Sequence, residues 1–319
     1  MITFRPEAIS MIQEELAQVR PDKETVLTLG VFDGVHLGHQ SLIGRAVELA
    51  RQRGLLSGII TFRRHPLAVL APEEHPTYLT TLEQRLALLE RLGADVLLAL
   101  TFTPEVAQLP ARDFVALLHK YLKMRGLVVG PDFTLGRARE GTRSVLKALG
   151  DEMGFFVEVA PPLVLDDQVV SSTAIRRALA RGDMLAAERF LGRPFGLQGP
   201  VVSGAARGQQ LGYPTANLAV DSQHALPPDG VYAARAFVEG NGYAAAAYIG
   251  RRPTFGEGQR WVEVFLLDFQ GDIYGREMKV DFLKRVRPDM VFPNAEALRA
   301  QIEVDVEQIR AVLGATKRG

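Results

Sequence analysis

The sequence predicts two domains of different class: an α/β domain built on a parallel sheet over 1–190, then a small antiparallel β-barrel with a terminal helix over 191–319. Three observations predict this. Short apolar runs alternate with amphipathic helical patterns from Thr25 to Pro161, the order that builds a parallel sheet with helices on both faces. Helical periodicity then disappears between Phe195 and Pro293, after the break Gly192-Arg193-Pro194. Finally, 319 residues exceed what one compact core holds.

The elements follow in order. Thr25–Phe32 (TVLTLGVF) is a β-branched-rich apolar run, as expected for a strand covered on both faces. From His39 the period changes: Leu42, Ile43, Ala46, Val47 and Ala50 fall at helical spacing, and Gly54 is the expected stop. LSGIITF (56–62) reads as a strand and TLEQRLALLERLG as a helix, with Thr80 and Glu83 at capping-box spacing and Gly93 at its end. The strand ADVLLAL (94–100), helix ARDFVALLHKYL (111–122), strand GLVVG (126–130), a helix over 141–153 and the strand FFVEVAP (155–161) complete the series. After the helix MLAAERFLG, the stretch GVYAARAFVEGNGYAAAAYIG reads as two strands around a Gly-Asn-Gly turn. WVEVFLLDFQGDIYG and REMKVDFLKRV supply further strands. Helix returns over 294–314, with Asn294 as N-cap and Leu298, Ile302, Val306, Ile309 and Val312/Leu313 as the apolar stripe.

Composition excludes several classes. A hydrophobic fraction of 47% with 23% charged residues suits a soluble globular chain. Lys plus Arg equals Asp plus Glu at 37 each, so no net basic footprint points to nucleic acid or a membrane surface. The absence of Cys excludes disulfides, thiolate nucleophiles and cysteine-ligated zinc. No apolar run approaches the ~20 residues of a membrane span, and MITFRPEAIS does not read as a signal peptide. A cytoplasmic protein is the expectation.

Three stretches carry chemistry. GVFDGVHLGHQ (30–40) places His36 and His39 at the carboxyl end of the first strand and the start of a helix, where ligands of open α/β sheets bind and free helix N–H groups face a phosphate. Gly30, Gly34 and Gly38 allow close approach there, and Gly30, Phe32 and Gly38 are nucleotide-binding candidates. The two imidazoles can donate to phosphate oxygens as charge shifts at the α-phosphorus, chemistry that needs positioning and electrostatics. In GAARGQQLGYPTANL (204–218), Gly204, Gly208 and Gly212 form a phosphate-accessible loop. Thr215 and Asn217 point to one side of an extended segment, as hard oxygen ligands suited to Mg²⁺ shared with phosphates. In WVEVFLL, Glu263 is the one charge on a face with Trp261, Phe265 and Leu267, a setting for a general base.

These motifs resemble known families. The H-x-G-H motif after a first strand looks like the Rossmann-like nucleotidyltransferase superfamily, and VSSTAIRRAL (170–179) resembles its later S-S-T-x-I-R signature. There Ser172 and Thr173 offer hydroxyls and Arg176 a forked cation for phosphates. G-x-x-x-G-x-x-L-G-Y-P-T-A-N-L strongly resembles the riboflavin kinase signature, and PPDGVYA, RRPTF and FLKRVRPD agree with it. Over residues 14–314 the chain is similar to the prokaryotic bifunctional riboflavin kinase/FMN adenylyltransferases, also called FAD synthetases.

The resemblance implies phosphorylation of riboflavin to FMN, then adenylylation of FMN to FAD with release of pyrophosphate. ATP is the co-substrate and Mg²⁺ the cofactor. It implies Glu263 as the kinase base and Asp132, in GPDFTLG, as a nucleotide- or flavin-contacting position. Gln209, Phe265, Asp289 and the TFRRHP stretch depart from the family pattern. Three alternatives stay open at this point: retention of one activity only, a non-catalytic flavin-binding or regulatory protein, and a class I aminoacyl-tRNA synthetase relative. The last would need a K-M-S-K-S-like loop and a basic face, and both are absent.

Overall fold

The computed structural model describes residues 6–74, 77–202, 213–251 and 260–314. The chain divides into two compact units, one ending at Ser171 and the other beginning at Ser172.

The first unit is a five-stranded parallel sheet ordered β3-β2-β1-β4-β5, from β1 (Thr25–Leu29), β2 (Leu56–Phe62), β3 (Val96–Leu100), β4 (Met124–Val129) and β5 (Phe156–Val159). Four of them lie within the strands predicted above, and β4 begins two residues before the predicted 126–130. A helix that the sequence analysis did not contain, α1 (Pro6–Gln18), precedes them. Between strands run α2 (Leu37–Arg53), the single turn α3 (Leu67–Leu70), α4 (Leu82–Glu90), the short α5 (Pro104–Ala107), α6 (Ala111–Leu122) and α7 (Arg143–Met153).

Both faces of the sheet are covered. Leu27, Leu29, Ile60 and Val129 pack with Ile12 and Leu16 of α1, Phe114 and Leu118 of α6 and Leu146 of α7. Val26 and Val128 pack on the other face with Ala46 and Leu49 of α2, and Ile59 packs with Ile43 of α2 and Leu89 of α4. Neighbours on one strand point to opposite faces and both find a core, which is why β1 reads as an unbroken apolar run. The strand order reverses between β1 and β4, so the crevice at their carboxyl ends is the topological switch point. A two-stranded hairpin, β6 (Val164–Leu165) and β7 (Gln168–Val169), ends the unit.

In the second unit, α8 (Ser172–Ala180) and α9 (Met184–Leu191) form a helical pair. Gly192 caps α9 in the left-handed conformation at φ 73°. A closed antiparallel barrel follows in the order β10-β11-β12-β9-β8-β13. Its strands are β8 (Phe195–Val202), β9 (Ala216–Leu218), β10 (Gly230–Val238), β11 (Asn241–Arg251), β12 (Arg260–Leu266) and β13 (Glu277–Pro288). Helix α9 packs on β8 and β13.

The β10–β11 turn is Glu239-Gly240, at φ 50° and 83°, in place of the expected Gly-Asn-Gly: Val238 pairs with Asn241, so Asn241 already belongs to the ladder. Two left-handed residues match the twist of a tight hairpin. Inside the barrel Tyr232, Ala234, Ala245, Ala247, Val262, Val264 and Phe282 are buried, and small Ala side chains fit a narrow interior.

The terminal helix α10 (Ala295–Leu313) covers one outer face. Asn294 caps it, accepting from the Ala297 N–H at 2.8 Å. Val306, Ile309 and Leu313 rest on Ala244, Ala246, Tyr248 and Phe265. The predicted stripe needs two corrections. Val312 is exposed, and Asp305 takes a buried place because Arg287 of β13 pairs with its carboxylate at 2.9 Å.

Candidate active sites

In the first unit, His36 and His39 stand where β1 gives way to α2. The connecting segment is strained: buried Phe32 and Val35 lie at φ 53° and 39°, beside Gly34 at 81°. Positive φ is costly for a bulky or β-branched residue and persists only where the surroundings enforce it. The Asp33 carboxylate accepts from the Leu79 and Thr80 N–H groups at 3.0 and 3.2 Å, and the Gly34 N–H donates to Thr80 Oγ1 at 3.1 Å. This use of Thr80 displaces the expected capping box by one residue. Thr81 Oγ1 accepts from Gln84 N–H at 3.1 Å, and Gln84 Oε1 accepts from Thr81 N–H at 3.0 Å.

Arg85 clamps the same segment from behind. It is only 1% exposed and donates to the Val31, Phe62 and Arg63 carbonyls, joining the ends of β1 and β2. Burial lowers its guanidinium from the ordinary value, against the pull of Asp33. Neither Asp33 nor Arg85 was a candidate above. Arg85 carries a readable signal, since it lies one turn before Leu89 on the buried face of α4.

His36 is the N-cap of α2, and its Nδ1 accepts from the His39 N–H at 3.2 Å. The ring proton of His36 therefore sits on Nε2. The two rings stack at 3.5 Å with an 18° tilt, and Phe32 stands edge-on to His39 at 5.2 Å. Gly38 makes the stack possible: a Cβ there would lie 3.0 Å from the Val170 carbonyl and 3.1 Å from His36 Nδ1. Gly30 follows β1 directly, and exposed Asp132 lies in the turn after β4, so both occupy the carboxyl end of the sheet.

Burial holds the His39 pKa well below the usual imidazole value, and the charges of His36 and Arg85 push the same way. Its Nδ1 is enclosed and has no hydrogen-bond partner. A stability prediction follows from the sign. As pH falls below about 6.5 the unfolded chain takes up a proton that native His39 refuses, so this residue costs stability in acid. Between pH 7.5 and 5.5 the melting temperature of His39→Gln is expected to fall less steeply than that of the wild type. Equal slopes in calorimetry would contradict this electrostatic picture.

Ser172, Thr173 and Arg176 lie in the first two turns of α8, within the second unit; Thr173 is exposed and Ser172 and Arg176 are half-buried. Gly204, Gly208, Gly212 and Gln209 lie outside the described residues.

In the barrel, register assembles the second site. Asn217 of β9 pairs with Glu263 of β12, and Glu263 pairs with Tyr248 of β11. Direct partners share a face, so Asn217, Glu263 and Tyr248 form one row across three strands. Thr215 Oγ1 donates to Glu263 Oε2 at 3.5 Å, and Asn217 is only 2% exposed. Val262, Val264 and Leu266 point inward, which puts Trp261, Glu263 and Phe265 on the outer face that α10 partly covers. Phe265 meets Tyr213 edge-on at 5.4 Å. Asp289 Oδ1 accepts from the Tyr248 hydroxyl at 3.1 Å. Tyr248 was not a candidate from sequence, because only the β11–β12 register places it beside Glu263.

A switch-point pair of histidines and a barrel that sets a carboxylate beside a threonine hydroxyl and an asparagine amide fit an enzyme of phosphoryl and nucleotidyl transfer. Residues 18–174 match the FAD synthetase family and residues 191–313 the riboflavin kinase family. The bifunctional riboflavin kinase/FMN adenylyltransferase of Bacillus subtilis is 36% identical over 304 residues, covering 93% of each chain. That of Escherichia coli is 38% identical over 299 residues, covering 93% of this chain and 95% of its own. The crystal structure of a macrolide-efflux protein from Streptococcus pneumoniae superposes with a TM-score of 0.85 at 33% identity, covering 94% of this chain and 97% of that one. Among the described residues no helix is long and apolar enough to cross a membrane. The chain belongs to the bifunctional riboflavin kinase/FMN adenylyltransferase family.

Proposed function

We infer that the two activities of this family are divided between the two units. The barrel transfers the ATP γ-phosphoryl group to the ribityl hydroxyl of riboflavin, giving FMN. The α/β unit joins FMN to AMP, giving FAD and pyrophosphate. The observation that carries this reading is the Asn217–Glu263 pairing, which sets a carboxylate beside Thr215 and Asn217 on one face of the barrel.

Glu263 accepts the proton of the attacking hydroxyl, and the Trp261 and Phe265 side chains beside it restrict water. Thr215 and Asn217 would hold Mg²⁺ with the nucleotide. Two neutral oxygens and a nearby carboxylate suit a hard cation that keeps most of its shell for phosphates and water. When bound, Mg²⁺ supplies charge neutralisation on the transferring phosphoryl group.

In the other unit, the free N–H groups of α2 and the ring N–H groups of His36 and His39 face the ATP phosphates, with Gly30, Phe32, Gly38 and Asp132 lining the nucleotide. FMN phosphate attacks the α-phosphorus and pyrophosphate leaves, while the imidazoles donate to the oxygens that gain charge. Ser172, Thr173 and Arg176, at the start of α8, offer hydroxyls and a forked cation suited to phosphate oxygens. The glycines 204, 208 and 212 are the counterpart in the kinase. A cysteine-free chain that consumes ATP supports a cytoplasmic setting.

The test uses the intact chain and two fragments, with riboflavin, ATP and Mg²⁺, and the flavins separated by chromatography. The intact chain is expected to yield FMN and FAD. A fragment starting at Ser172 should yield FMN alone. One starting at Arg193, in the break just after the 190/191 boundary expected from sequence, should be less stable, because it lacks the α9 contacts to β8 and β13. FAD from the Ser172 fragment would sink the division of labour.

A further inference from the structure

We propose that Tyr248, oriented by Asp289, binds a hydroxyl of the riboflavin side chain beside Glu263 and so sets affinity for the flavin rather than the rate of phosphoryl transfer. The proposal rests on the reading of Glu263 as the base that faces the reacting hydroxyl.

Four observations converge on Tyr248. It is the direct cross-strand partner of Glu263, on the same outer face of the barrel. Its side chain lies along β11, so that a Cβ at Gly250 would fall 2.1 Å from the phenol oxygen. Only glycine permits this placement. The phenol donates its proton to Asp289 Oδ1 at 3.1 Å. It is also half-buried against Val306, Ile309 and Leu313 of α10, which limits how the ring can swing away.

The chemistry follows. A phenol whose O–H is committed to a carboxylate presents lone pairs outward. The complementary ligand group is a hydroxyl donor, and riboflavin carries a row of them on its ribityl chain. Burial and the surrounding carboxylates Asp289, Asp229 and Glu263 hold the Tyr248 pKa far above the ordinary phenol value. Tyr248 therefore stays protonated wherever Glu263 can act as base, and contributes a hydrogen bond to substrate instead of a proton transfer.

The experiment uses the full-length chain with Tyr248→Phe, Asp289→Ala and Gly250→Ala. Kinase kinetics give KM and kcat for riboflavin, and fluorescence quenching without ATP gives Kd for riboflavin and for lumiflavin, which has the ring but no ribityl hydroxyls. Tyr248→Phe is expected to raise KM and Kd for riboflavin by roughly three- to ten-fold, the scale of one neutral hydrogen bond, with kcat within about two-fold. Asp289→Ala and Gly250→Ala should do the same by releasing or displacing the phenol, and the Tyr248→Phe/Asp289→Ala double variant should be no worse than either single one. Lumiflavin binding should not change. An unchanged KM and Kd, a fall in kcat at constant KM, or equal weakening of lumiflavin would each overturn the proposal. If Gly250→Ala fails to fold, the other two variants still decide. Glu263→Gln measured alongside separates the two readings: its kcat tests the base, while riboflavin affinity in Tyr248→Phe tests the contact.

Discussion

Replacing Glu263 with glutamine is expected to abolish riboflavin phosphorylation, by ~10²–10⁴-fold if the carboxylate is the general base, while adenylylation of supplied FMN continues. The amide keeps the size and the acceptor that Thr215 Oγ1 meets at 3.5 Å, yet it cannot take up the ribityl proton. A folding defect predicts a different pattern. Removing a charge from a face shared with Trp261 and Phe265 relieves desolvation, so the unfolding temperature should hold or rise. Kinase activity within a few-fold of wild type in the folded variant would remove Glu263 from the catalytic role.

The His36→Ala/His39→Ala double variant should show the converse: riboflavin still becomes FMN, FMN accumulates, and FAD falls by ~10²-fold or more, the usual scale for lost charge-stabilising donors. The structure makes a partial effect from one substitution informative. Because His36 Nδ1 accepts from the His39 N–H, His36→Ala also removes the N-cap of α2, a loss of about 1 kcal/mol. His36→Asn restores a capping acceptor without the imidazole. If His36→Asn recovers stability but not FAD synthesis, the ring acts on substrate; if it recovers both, His36 is a cap only.

Much of the first unit was legible because its strands are apolar on both faces and its helices carry single stripes, so pattern alone locates them. α1 was not: among its described residues Ile12 and Leu16 are the buried apolar ones, too few to mark a period. Thr80 illustrates a second limit. Spacing made it a capping residue, but its hydroxyl is taken by the Gly34 N–H, forty-six residues earlier in the chain, and Thr81 caps the helix instead. Asp305 illustrates a third: a carboxylate on a buried stripe makes sense only once Arg287 is seen opposite it.

By itself the sequence determined the two fold classes, and it singled out the histidine pair, the Thr215 and Asn217 oxygens and the Glu263 carboxylate as candidates for the chemistry, because periodicity and short motifs are local properties. Only the tertiary structure decided how those residues are supported. The buried Arg85 behind a strained loop, the stacked imidazoles over Gly38 and the Asn217–Glu263–Tyr248 row depend on partners distant in sequence. Strand register and side-chain enclosure set those partnerships, and a one-residue slip would turn every side chain of β12 to the opposite face.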